Sequence, residues 1–117
     1  MKHNFHNLEI WKLGLKLADA IYDVTESFPK NERFGMVDQL KRASISVPSN
    51  IAEGCGRGTV PQLKYFLNVT VGSLAELETQ IHISKGRRFI NQDDAKKLIE
   101  QISKIRRMTL SFQKTLK

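Results

Sequence analysis

The sequence predicts an all-α fold, an antiparallel up-down-up-down four-helix bundle. Three observations lead there. Four stretches repeat apolar residues at alternating steps of three and four, the helical period. Short breaks containing Gly, Pro or Asn separate them. No stretch keeps the strict alternation of a half-buried strand, and no internal repeat is visible.

The first helix is predicted over about residues 8–27, with Asn7 as N-cap and Phe28-Pro29 as its end. It carries two apolar stripes. One is Leu8, Trp11, Leu15, Ala18, Tyr22 and Thr25; beside it run Ile10, Leu17, Ile21, Val24 and Phe28. Together they make an arc wider than a coiled-coil seam needs. Such a helix is either central in one bundle, or faces its own core on one side and another subunit on the other.

The second helix is predicted over about 32–55, with Asn31 as N-cap and Phe34, Val37, Leu40, Ser44, Val47, Ile51 and Gly54 along one face. Pro48 lies inside it, where it loses a backbone bond and crowds the Ser44 carbonyl. One kinked helix is expected, with Ser44 or Ser46 meeting a freed backbone group; the alternative is two helices broken near Val47. Gly54, Gly56 and Gly58 supply the stop and turn.

The third helix has the clearest start, since Thr59-Val60-Pro61-Gln62 fits a capping box with Pro in the first turn. Its stripe is Leu63, Phe66, Leu67, Thr70, Leu74, Leu77 and Ile81, and it ends near Lys85-Gly86. Gly72 sits in mid-helix, where a close helix–helix approach would explain it. The fourth helix begins at Asn91, with Asp93 and Asp94 favourable to its dipole. Leu98, Ile102, Ile105, Thr109, Phe112 and Leu116 form a heptad seam with one polar Thr. Helices of about 20–25 residues, joined by connections of about three to five residues, complete the bundle.

At 117 residues the chain is the size of a single domain, here spanning 1–117. Its uncharged runs, 43–52 and 65–75, fall far short of the roughly 20 apolar residues of a membrane span. Glu9 and Lys12 interrupt any signal-peptide stretch. A soluble cytoplasmic protein is expected. The lone Cys55 excludes an internal disulfide and any site of paired thiolates. Its expected role is a small apolar filler or an exposed thiol. His3, His6 and His82 have no ligand spacing, so neither a metal nor a cofactor is expected. No phosphate-binding Gly-rich loop occurs, and no Arg precedes a His at the spacing of small helical nucleases.

Charge is the less ordinary feature. The net charge is +7. Residues 1–84 hold nine Lys/Arg and nine Asp/Glu, whereas 85–117 hold ten against three. The whole excess lies in the last third and points to a polyanionic partner, against the plainer reading of a solvated basic face. Lys97, Lys104, Arg107 and Lys114 step by seven, three and seven, a stripe away from much of the heptad seam. Lys85, Arg87 and Arg88 extend it around the preceding turn. These seven residues are the candidate nucleic-acid contacts. A second cluster, Arg42, Ser46, Asn50 and Glu53, shares one face of helix two, opposite Glu76 and Glu78. It is expected to be a buried interhelical network, Arg42 pairing with a glutamate and Asn50 hydrogen-bonded. The alternative is a ligand or catalytic pocket.

Three blocks carry a resemblance: Phe28-Pro29-x-x-Glu32-x-Phe34-Gly35; the run from Gln39 to Arg57 with Arg42, Ser46-Val47-Pro48-Ser49-Asn50 and Glu53-Gly54 at its centre; and Gly72-Ser73-Leu74-x-Glu76-Leu77-Glu78. With these the chain resembles the family encoded by intervening sequences inside bacterial 23S ribosomal RNA genes, once labelled S23 ribosomal protein. Val71 departs from it, standing where the family often has Ala. That family is similar to the accessory variability protein of diversity-generating retroelements, a basic pentamer of four-helix protomers that associates with nucleic acid. The resemblance implies a homo-oligomer, pentameric by analogy, without enzymatic activity. Residues and resemblance together give a non-enzymatic bundle binding RNA or DNA through phosphates. The alternative is an adaptor for an acidic or nucleoprotein partner; an enzyme using the Arg42/Asn50/Glu53 face is a third reading.

Overall fold

The computed structural model describes residues 3–117. Four helices run in chain order: α1 (Glu9–Thr25), α2 (Met36–Arg57), α3 (Val60–Gly86) and α4 (Gln92–Thr115). No strand occurs among the described residues. Each helix packs on its neighbours in sequence, and α4 closes onto α1. Cross-helix pairs fix the directions. Gly14 meets Pro48 and Tyr22 meets Lys41; Gln39 meets Gln80, Val47 meets Thr70 and Gly54 meets Leu63. Gln113 reaches back to Lys64 and Asn68. One index rises as the other falls along α1–α2 and α2–α3, so these neighbours are antiparallel, and the last turn of α4 returns to the start of α3. The bundle measures 46 × 23 × 20 Å.

The predicted seams form the core. Leu63, Leu67, Thr70, Leu74, Leu77 and Ile81 of α3 are buried, as are Leu98, Ile102, Ile105, Thr109 and Leu116 of the α4 side, with Phe112 half-buried. The two stripes of α1 separate as their width suggests. Ile10, Leu17 and Ile21 are buried, whereas Leu15 and Tyr22 remain exposed. Caps at α3 and α4 stand where expected. Thr59 accepts from the Gln62 amide at 3.4 Å and donates to its side chain at 2.7 Å; Asn91 accepts from the Asp94 amide at 2.8 Å.

Other boundaries differ, each for a local reason. Asn7 does not cap α1. It closes a 3-10 turn, Phe5–Asn7, capped by Asn4 and held by contact of Phe5 and His6 with Trp11. Asn31 does not cap α2. Residues 30–32 form another 3-10 turn, and the Glu32 carboxylate accepts from the Met36 amide at 3.2 Å. The α1–α2 connection is therefore ten residues, 26–35, longer than the three to five expected. Phe34 falls in it and leaves the α2 core face; it is 87% exposed.

α2 continues through Pro48 as one helix, as preferred over the broken alternative. The serines act elsewhere than expected. Ser44 donates to the Lys41 carbonyl at 2.9 Å, and Ser46 bonds Ser73 across to α3. Pro48 is accommodated by α1, where Gly14 leaves room that a Cβ would fill to 3.2 Å from the ring. Among the three α2 glycines Gly58 alone makes the stop, with φ at 85°. Gly54 instead permits close approach of α3, since a Cβ there would lie 2.9 Å from the Phe66 Cβ. Gly72, for which that role was expected, has nothing within 4 Å.

Candidate nucleic-acid interface

The α4 seam decides what the rest of that helix does. With Leu98, Ile102, Ile105 and Thr109 facing inward, residues about half a turn away must face water. Lys97, Lys104, Arg107 and Lys114 are all exposed. From Lys97 to Lys114 the stripe spans about 26 Å at 1.5 Å per residue. No carboxylate follows Glu100 in the chain, so the C-terminal half of this face has no acidic residue of its own helix. Lys16 of α1 lies beside Lys104 in a shallow groove over Leu13 and Ile105. Sequence reasoning missed Lys16, because nothing local shows that α1 closes onto α4.

Lys85, Arg87 and Arg88 are also exposed. They cluster at the α3–α4 turn, where Arg88 takes the left-handed conformation with φ at 64°. The Arg87 guanidinium lies 6.0 Å from the centre of the Phe89 ring. Lys85 and Arg88 line a cleft of about 540 Å³ that also holds Asp94, which borders a second groove with Lys97. The structure thus places the seven basic residues as an end cluster and a lengthwise stripe. Among the described residues ion pairs within 4 Å number three, each within one helix: Arg42–Asp38, Arg57–Glu53 and His82–Glu78. None of the seven takes part; Arg107 instead donates to the Ser103 hydroxyl at 2.8 Å.

The second cluster divides. Ser46, Asn50 and Ser73 do bridge α2 and α3: Ser46 bonds Ser73, and the Asn50 amide donates to the Ser46 carbonyl at 2.8 Å. Asn50 is half-buried rather than buried. Arg42 does not meet Glu76 or Glu78. It pairs with Asp38 one turn back at 2.9 Å, its side chain 79% exposed. The reason is angular. Arg42 stands two residues beyond the buried Leu40, about 200° around the helix and so nearly opposite the core. Such a pair contributes about 0.3–0.5 kcal/mol rather than the several expected of a buried one. Glu53 is engaged by Arg57 at 2.8 Å and Glu78 by His82 at 3.3 Å, while Glu76 accepts from Gln80 at 3.3 Å. Gln80 also reaches Gln39 of α2 at 3.5 Å. This second neutral rung escaped sequence reading because glutamine gives no charge signal.

Arg42, Glu53 and Glu76 are exposed, each engaged by a side chain of its own helix. No group of three His, Cys, Asp or Glu side chains suited to a metal occurs among the described residues. Cys55 is buried, and burial pushes its thiol above the ordinary range, away from the reactive thiolate. No helix among the described residues is long and apolar enough to cross a membrane.

Fold and surface define a basic four-helix bundle cross-linked by small neutral polar groups. The chain belongs to the 23S rRNA-intervening sequence protein family, whose model matches residues 6–111. Among solved structures it is similar to a protein with unknown function from the S23 ribosomal protein family of Bacteroides thetaiotaomicron VPI-5482. The two superpose with a TM-score of 0.82 at 20% identity, over 90% of this chain and 98% of that one. No curated protein matches. The resemblance carried by the Phe28, Gln39–Arg57 and Gly72 blocks is thereby borne out, and at this identity the structural likeness speaks for the fold.

Proposed function

We propose that this protein is a non-enzymatic, single-domain, cytoplasmic RNA- or DNA-binding protein. It contacts phosphates through the outer face of α4 and the turn before it, and acts as a homo-oligomer. The observation that carries the reading is the state of the seven cations. Lys85, Arg87, Arg88, Lys97, Lys104, Arg107 and Lys114 are exposed, and none enters an ion pair among the described residues. Unpaired cations along a face of about 26 Å are what a phosphate backbone recruits, releasing its counterions. Self-association is supported by α1, whose outer stripe leaves Leu15 exposed in a groove lined also by Trp11, Ile45 and Ala52. Five as the subunit number rests on the family resemblance alone.

The test is Lys104→Gln with Arg107→Gln. Both side chains are exposed, so the fold should hold within about 0.5 kcal/mol. Binding should weaken alike for all sequences. The slope of log affinity against log salt should flatten by about 1.8 for duplex DNA, two phosphate contacts at about 0.9 each. A double variant that binds like the parent at low salt refutes the face. Binding to an acidic protein, with none to nucleic acid, would instead establish the adaptor reading.

A further inference from the structure

The end of the bundle that carries the α3–α4 turn also carries the long α1–α2 connection, and the two meet where the Phe28 and Phe89 rings lie 5.6 Å apart. Residues 1–84 are neutral in sum but not in place. A cleft of about 480 Å³ at this corner is lined by Lys30, Arg33 and Lys41, with Glu26 as its one carboxylate. Among the described residues none of the three cations has a carboxylate within 4 Å. Two exposed rings lie near its cations. Tyr22 lies under the Lys41 ammonium, 4.5 Å from its ring centre. Phe34 is 87% exposed, the most exposed large apolar side chain described, with the Arg33 guanidinium 5.9 Å from its ring centre. The break at Gly35 and the Glu32 cap hold Phe34 outside α2, so its position is a consequence of built structure rather than of a frayed helix end.

We propose that this corner binds unpaired nucleotides of a single-stranded nucleic acid, with Phe34 stacking on a base while Lys30, Arg33 and Lys41 hold the adjoining phosphates. The inference rests on the nucleic-acid reading above and adds a strand class to it. A ring presented among cations is the chemistry of single-strand platforms, where bases are free to stack. A duplex keeps its base faces occupied and offers Phe34 nothing. Continuity favours a strand as well: residues at the C-terminus of α1 line both this cleft and that of Lys85 and Arg88, so one strand can run from one to the other.

The experiment compares anisotropy titrations of a labelled oligouridine and a labelled RNA duplex of matched length. Phe34→Ala should weaken oligouridine binding by about tenfold, the loss of one stacked base, and leave duplex binding within about twofold. Phe34→Tyr should restore the oligouridine affinity. Equal effects on both probes, no effect on oligouridine, or a changed oligomeric mass by light scattering would each overturn the proposal. A parent protein that binds both probes with Phe34→Ala indifferent overturns this inference alone. A parent that binds neither overturns the proposed function and this with it.

Discussion

Gly54, in the last turn of α2, and Gly72, in the middle of α3, should respond oppositely to the same change. At Gly54 a Cβ would stand 2.9 Å from the Phe66 Cβ and 3.0 Å from a Leu63 methyl, in a packed α2–α3 contact. Gly54→Ala should therefore destabilise by about 1–3 kcal/mol, the cost of overpacking. At Gly72 nothing lies within 4 Å, and alanine there should stabilise the protomer by up to about 1 kcal/mol through helix propensity. Urea unfolding of the two variants beside the parent checks both signs. Sequence assigns the stop to Gly54 and the close approach to Gly72, the reverse of what is found, because the deciding quantity is a distance to another helix. Arg42 is the converse case. Its two-residue offset from Leu40 already marked it as facing away from the core. The proximity of glutamates on α3 outweighed that angle in the sequence reading, wrongly. Cys55 has a small pH consequence. Its raised thiol pKa in the fold means that any stability it lends is present below the ordinary thiol value and lost as pH rises from there through the raised one.

At the scale of elements, legibility followed the strength of the local signal. α3 and α4 begin where their capping residues stand, because Thr59 and Asn91 satisfy helical amides through their own side chains. Their seams were readable because a heptad repeat has one buried solution. α2 was misjudged at its start for a reason of competition. Asn31 is a sound cap by composition, yet the Glu32 carboxylate caps Met36 and turns residues 30–32 into a separate 3-10 turn. That single local contest removes Phe34 from the core stripe and creates the aromatic corner beside Lys30 and Arg33. The candidate interface divides in the same way. The α4 stripe was legible because one periodicity sets both seam and outer face. Lys16 and the corner cations were not, since they become neighbours of the interface only through tertiary packing.

The whole molecule joins a neutral two-thirds to a basic remainder on one antiparallel frame. Along α1 the split between a buried stripe and the exposed Leu15 and Tyr22 leaves an apolar face that the protomer does not cover. Multi-angle light scattering at tens of micromolar should give a mass that is a multiple of the 13.4 kDa chain, five by family analogy. A monomer at that concentration would remove self-association from the account. In a closed ring the α4 stripe would recur once per subunit, turning a modest patch into a band of charge that strengthens phosphate binding without new contacts. The measurement that bears most directly on the central claim is an electrophoretic mobility series with RNA and with DNA at two salt concentrations. The account predicts complexes with both at low salt, weakened steeply at the higher salt. No complex with either nucleic acid at low salt would contradict it, and the basic face would then be a solvated surface or the dock of an acidic protein.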